Sequence, residues 1–250
     1  MRDFDNSTLW EVSGFDRVRQ ETGTSGFARL TQQTVLPTSL LADLRLEGLG
    51  RAASDVLEAA AACLRHREAA LLYLQCDGLV WPVTLFPVQM LYHSPRDLAE
   101  ASPVGLGAIE VLDVDVPGVR PPGHWMHERV AHAGHYRRLP PLLWSLALSG
   151  PRAALLPEIA GTAAYRALKD PAADGLAVSG ALRPTVERLR RESVPLRTIA
   201  GWSGMSVERA SRLLNGLYLV SALLATRTHP AARPQATTVR GVLSGLRHRG

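Results

Sequence analysis

The sequence predicts an α+β fold: an N-terminal helix plus a small antiparallel sheet, then a helical middle segment, then a C-terminal helix-turn-helix module. Three observations carry this. Residues 38–67 repeat apolar side chains at helical spacing, two apolar runs meet at Asp77-Gly78, and residues 199–206 have the pattern of a tight turn between two helices.

Residues 1–37 hold few periodic apolar positions and much Gly, Ser, Thr and Gln. They are expected to be irregular, with Phe4, Leu9, Trp10, Val12 and Phe15 docking piecemeal and a strand near residues 27–35.

The α+β domain spans residues 38–116. Thr38 or Ser39 caps a helix over 38–67, whose Leu49, Ala52, Ala53, Val56, Ala59, Ala60 and Cys63 share one face. Residues 70–76 and 79–86 are apolar runs joined by Asp77-Gly78, two residues that tolerate positive φ, so a two-residue hairpin is predicted. Pro82 cannot donate to a ladder, which makes the second strand an edge or a bulge there. Residues 94–102 read as a short helix capped by Ser94. Residues 109–116 alternate strictly, which predicts a third strand with one wet face.

The Pro-Gly-rich stretch 117–123 breaks the chain. Beyond it 124–168 is expected to be helical, most strongly at 139–148 and 153–168, with a linker at 170–180. A helix follows at 182–192 with Leu182, Val186 and Leu189 inward. A second starts at Pro195, with Leu196, Ile199 and Ala200 as core. A third runs over 206–218, where Val207, Ala210, Leu214 and Leu217 face the core and Glu208, Arg209, Ser211, Arg212 and Asn215 are exposed. Gly204 takes the left-handed conformation that ends the middle helix, and Ser206 caps the next. Residues 223–228 read as a strand. The tail 230–250 is basic and expected to be flexible.

With 46% hydrophobic and 20% charged residues, the 250-residue chain is of globular rather than disordered composition. Its +5 net charge is unevenly placed. Residues 181–250 carry twelve arginines against three glutamates, a balance of +9, which leaves −4 on residues 1–180. This asymmetry points to an acidic partner for the C-terminal half, either nucleic acid or protein. Lys169 is the only lysine, so the arginine abundance is in part compositional. Cys63 and Cys76 read as buried thiols of a reducing compartment. The first residues are polar, and no apolar run approaches the ~20 residues of a membrane span. A cytoplasmic protein without membrane insertion is expected.

Ala200, Gly204, Ala210 and Leu213 stand where the winged helix-turn-helix superfamily has its small and apolar positions, and residues 182–229, within a domain expected over 181–229, resemble that family. The resemblance implies a winged helix whose third helix reads a groove. Ser206, Arg209, Arg212 and Asn215 would then face DNA or a partner, with Arg197 and Arg227 on phosphates. Glu208 on that face opposes phosphate. The order helix, hairpin, short helix, strand over 38–116 is loosely similar to roadblock and longin-like domains, which implies a dimerising scaffold and transfers no site.

His124, His127, His132 and His135 fall within twelve positions, and on one helix they would share a face able to hold zinc. The spacing is not that of a His-Glu-x-x-His motif, and Gly134 weakens the helix. His93, Ser94 and Asp97 are neighbours in sequence, which does not make a triad. The sequence contains neither a Gly-x-Ser-x-Gly elbow nor a phosphate-binding Gly-x-x-x-x-Gly-Lys loop.

The function expected is that of a non-enzymatic regulatory or adaptor protein of bacterial type. It would need no cofactor, would dimerise or sense a partner through its N-terminal half, and would bind that partner through its basic C-terminal module. The alternatives are a DNA-binding transcription regulator and a metal-dependent enzyme using the histidines.

Overall fold

The computed structural model describes residues 9–22, 35–46, 55–98, 106–125 and 130–232. In chain order its first half holds β1 (Trp10–Glu11), α1 (Val12–Thr22), α2 (Thr38–Leu46), α3 (Val56–His66), β2 (Ala70–Cys76), β3 (Leu79–Phe86), β4 (Leu91–His93) and β5 (Glu110–Asp115). The second half holds β6 (Tyr136–Arg138), α4 (Leu139–Ser149), β7 (Ala164–Ala167), α5 (Leu182–Leu189), β8 (Val194–Pro195), α6 (Leu196–Ala200), α7 (Val207–Leu219) and β9 (Leu223–Thr226).

The hairpin forms where the sequence places it. Asp77 (φ 52°) and Gly78 (φ 75°) both take left-handed backbone, the twist that matches paired strands. β2 and β3 then pair without a break from Cys76 against Leu79 to Ala70 against Leu85. The large sheet has the order β5-β2-β3-β4-β6, and β1 also pairs with β3. Pro82 therefore sits in an interior strand rather than an edge strand or a bulge. Counting from the turn, Pro82 is in a non-hydrogen-bonded pair with Tyr73, so its nitrogen points away from β2. On that side β3 meets β1 only at residues 79–80 and β4 only at 84–86. Proline fits because it stands in the gap between them.

Side chains of β2 alternate between two apolar clusters. Leu72, Leu74 and Cys76 join the main core, while Leu71 and Tyr73 join a smaller one on the other face. This is why β2 reads as a continuous apolar run: both faces of the sheet are covered. The second cover is α1, in a stretch expected to be irregular. Its sequence is mostly polar, but Phe15 is fully buried with its ring 5.1 Å from that of Tyr73, and Arg19 pairs with Asp113 at 3.1 Å. One docked aromatic decides the helix where periodicity was silent. The wet face expected for β5 is likewise partly covered. Its register with β2 shifts between Tyr73 and Leu74, a bulge that sends Leu112 to the smaller cluster and Val111 and Val114 to the main one.

The single helix expected over 38–67 is two. α2 begins at Thr38, and α3 starts afresh where Asp55 caps it by accepting from the Leu57 N–H at 2.8 Å. The positions Leu49, Ala52 and Ala53 lie outside the described residues, as do residues 27–34 of the strand expected at 27–35, most of the helix expected at 94–102 and the tail from 233. Ser94 caps no helix: Ser94–Asp97 is an irregular bend, and Ser94 is fully buried.

Of the helical segment expected at 124–168, α4 is present, and the flanks differ. Ala133–His135 is a single 3-10 turn that leads into β6. Residues 150–163 are irregular and end in β7. Pro151, Pro157 and Gly161 (φ 91°) interrupt any helix there, and polar side chains take over the backbone groups. Arg152 Nε donates to the Ala154 carbonyl at 3.0 Å and Nη2 to that of Leu155 at 2.7 Å. The linker expected at 170–180 is a packed 3-10 turn over Pro171–Asp174, followed by buried Leu176 and Val178.

The C-terminal helices stand close to expectation. Gly204 has φ 72°, and Ser206 caps α7 by accepting from the Arg209 N–H at 3.1 Å. Val207, expected in the core, is 61% exposed at the helix start. β9 forms, but its partner is β7 from upstream, and the small sheet has the order β8-β7-β9. One main core runs from Leu36 to Ala222 and joins these helices to α3, α4 and the large sheet.

Replacing Phe15 by Ala is expected to lower stability by about 3–5 kcal/mol in urea denaturation, the cost of emptying a buried aromatic site. A loosely docked N-terminal segment would show almost no change. Burial pushes the Cys63 thiol up to about 12. The folded state therefore holds this proton more tightly than the unfolded one. The associated stability is intact below the ordinary thiol value near 9 and is lost as pH rises from there toward 12. Cys63→Ala is expected to lose about 1 kcal/mol less than the parent chain between pH 8 and pH 10, read by denaturation at both.

Candidate functional site

The face of α7 expected to read a groove is turned inward at Ser211, Arg212 and Asn215. Asn215 is fully buried: its Oδ1 accepts from the Leu156 N–H at 2.9 Å, and its Nδ2 donates to the Ala154 carbonyl at 2.8 Å. Arg212, with its side chain 17% exposed, donates from Nη1 to the Gly150 carbonyl at 2.6 Å and from Nε to Glu208 at 2.9 Å. Ser211 is buried, and its hydroxyl donates to the Val207 carbonyl at 2.8 Å. Asn215 and Arg212 thereby satisfy backbone groups of the irregular segment 150–156. Of the expected contact set, Asn215 and Arg212 thus bond to residues 150–156; Ser211, expected to be exposed on the same helix, is buried.

Ser206, Glu208, Arg209 and Arg197 remain exposed. Ser206 is occupied as the cap, and Arg209 Nη1 donates to the Gly204 carbonyl at 2.6 Å. Arg227, beyond β9, donates to the Glu158 carbonyl at 3.3 Å. Glu208 bonds Arg212, its neighbour one turn on, and so neutralises part of the positive charge on α7.

Among the described residues, a concentration of positive charge lies elsewhere. Arg166 on β7 and Arg190 and Arg191, just past the end of α5, line an open cleft of about 410 Å³ with Glu187, Leu168 and Leu224. All three arginines are exposed. Three guanidinium groups face one carboxylate, a local excess of +2 that an anionic partner relieves. Arg190 and Arg191 also sit favourably at the carboxyl end of α5. Arg188, on the same helix, is committed: its guanidinium lies 4.3 Å from the Trp202 ring centre and pairs with Glu192. The cleft floor is the outer face of the small sheet, where Arg166 is the direct cross-strand neighbour of Leu224. Leu168 and Leu224 are 59% and 45% exposed beside the arginines.

The sequence counted Arg190 and Arg191 among the basic half without singling them out. Adjacent arginines immediately past the last inward residue of a helix, Leu189, were the available signal. Arg166 carried none, because its stretch reads as helix rather than strand.

The four histidines do not form one set. His127 lies outside the described residues. His124 stacks on Trp125 at 5.9 Å between ring centres, with Arg120 Nη1 3.4 Å from its Nε2. His132 caps the 3-10 turn by accepting from the Gly134 N–H at 3.2 Å and contacts His135 at 5.7 Å between centres. His135 in turn meets His93, which the sequence did not connect to it, at 5.8 Å. The 3-10 turn, not a helix, sets these directions. Among the described residues no group of three or more His, Cys, Asp or Glu is placed to hold a metal ion.

A second open groove, of about 350 Å³, lies between α3, the turn after β3 and the end of α7. Arg67, Met90 and Ser221 on its rim all have positive φ, at 57°, 52° and 55°. Local chain reversals explain each one. The Arg67 N–H closes the end of α3, the Met90 N–H donates to the Pro87 carbonyl, and the Ser221 N–H donates to the Tyr218 carbonyl after α7.

Comparison with protein-family models, curated proteins and solved structures returned no match. The functional reading therefore rests on the geometry above.

Asn215→Ala is expected to cost about 2–4 kcal/mol in denaturation, because it strands a buried N–H and a carbonyl. Arg209→Ala is expected to change stability by less than about 0.5 kcal/mol. Similar small effects from both would mean that the α7 face is not the packing surface described.

Proposed function

We propose that the protein is a non-enzymatic adaptor that binds an acidic segment of a protein partner in the arginine cleft of the small sheet. The observation that carries this reading is the cleft itself: Arg166, Arg190 and Arg191 exposed around a single Glu187, with Leu168 and Leu224 open beside them. Carboxylates answer the arginines in forked, charge-assisted pairs. The exposed leucines favour a polypeptide over a nucleic-acid backbone, since phosphate and sugar leave them unmatched.

The reading of DNA through α7 is less well supported. Of its expected base contacts, Asn215 and Arg212 are engaged with residues 148–156. In this reading the C-terminal helices are a packing module that presents the small sheet, and partner choice is set by charge, which acts mainly on association rate and specificity.

The test is a pull-down with the full chain, with and without nuclease, beside the double variant R190E/R191E. The parent chain is expected to retain its partner after nuclease, and the variant to lose it by at least tenfold while keeping the parent's thermal transition. Recovery that disappears with nuclease, or that survives the charge reversal, overturns the adaptor reading.

A further inference from the structure

β9 is the outer strand of the small sheet and pairs only with β7 among the described strands. The phase of that pairing is fixed by the Leu168 N–H, which donates to the Ala222 carbonyl at 2.8 Å. In an antiparallel ladder the direction of the backbone groups then alternates: Leu224 turns its N–H and C=O toward β7, while Leu223 and Ala225 turn theirs to the side away from β7. Ala225 is exposed and Leu223 half-buried. Exposed edges are commonly blunted by lysine, proline or a bulge. The strand Leu223-Leu224-Ala225-Thr226 has none of these, and its register with β7 is regular.

The same phase sets what lies above the edge. Leu224 and its cross-strand neighbour Arg166 stand on the outer face, with Arg190 and Arg191 across the cleft. A strand added beside β9 lies two strand spacings from Arg166, about 9.6 Å, a gap that an arginine and a glutamate side chain close together. Its residue opposite Leu224 points into the cleft, and its residues opposite Leu223 and Ala225 give their backbone to the edge.

We infer that the partner binds by strand addition: an extended segment with acidic residues at every second position pairs antiparallel with β9 and lays those residues along Arg166, Arg190 and Arg191. This deepens the adaptor reading and rests on it. Main-chain bonds to Leu223 and Ala225 supply register, and the arginines supply selectivity. The antiparallel direction follows the other pairs of this sheet.

The probe is a ten-residue peptide alternating glutamate and valine, titrated against the full chain by calorimetry at low salt. Two N-methylated analogues accompany it, one methylated on the valine amides and one on the glutamate amides. With glutamates in the cleft, the valine amides face β9. Methylating them is expected to weaken binding by at least tenfold, whereas methylating the glutamate amides leaves it within about threefold. Ala225→Pro removes an N–H that makes no bond to β7, so the folded state is retained, and it is expected to weaken the parent peptide by at least tenfold. Equal affinity of the three peptides overturns strand addition. If R190E/R191E nevertheless abolishes all three, the arginine cleft still stands as the binding site. If the parent peptide binds R190E/R191E as well as it binds the unaltered chain, the cleft reading itself falls.

Discussion

The packing of α7 against α4 is the constraint on which the rest depends. Gly216 faces the indole of Trp144 so closely that a Cβ there would lie 2.9 Å from Cε3 and 3.0 Å from Cζ3. Only glycine lets the two helices meet at this distance, at some cost to helix propensity. The same indole donates from Nε1 to the Ala177 carbonyl at 2.8 Å and so holds the 170–180 segment. Asn215, one residue away, fixes residues 154–156. Arg152 then ties that segment to α3 through Asp55, at 2.9 Å, and Glu58. Burial disfavours the Arg152 charge, but its hydrogen bonds to Asp55 and the charges of both carboxylates outweigh that and raise its pKa. A helix contact thus becomes a clamp on an irregular stretch bonded to both α3 and α7.

Legibility in the sequence followed how local each signal was. The Asp77-Gly78 turn, the Ser206 cap and the Gly204 turn depend on backbone conformation within a few residues, and each formed as expected. Helix α1 and strand β7 depend on partners far along the chain. Polar residues 12–22 are organised by Phe15 on Tyr73, and the apolar, alanine-bearing stretch 153–168 has helical composition but surrenders its backbone to Arg152 and Asn215. The inward turn of Ser211 and Asn215 had the same origin. Helical spacing identifies one apolar stripe on α7, but the helix is covered over a wider arc than that stripe, and small polar residues fill the remainder. The arginine cleft was half legible: two of its arginines are adjacent in sequence, and the third needed the strand to be known.

The charge asymmetry takes on a physical meaning once pairing is considered. Several acids of the N-terminal half are engaged. Asp43 lies 2.5 Å from His66 and 2.7 Å from Arg65, and its hydrogen bond to His66 holds its carboxyl below the usual range. Asp55 and Glu58 meet Arg152, and Asp97 meets Arg137 at 3.3 Å. In the C-terminal half Glu192 and Glu208 are spent on neighbouring arginines within their own segments. Arg166, Arg190 and Arg191 are left around Glu187 on an open surface, so formal charge there becomes local field. Such a field weakens with added salt over roughly 8–10 Å.

The clamp also has a consequence for the chain as it is made. Asn215 and Arg212 lie 61 to 64 residues downstream of the carbonyls they bond at 154 and 148. A polypeptide emerging amino end first presents α4, with its apolar surface and Trp144, well before α7 exists to cover it. At synthesis rates of about 5–20 residues per second this interval lasts roughly 3–13 s. For that time the main core is open on one side, and the nascent chain offers a greasy helix to any chaperone waiting at the ribosome.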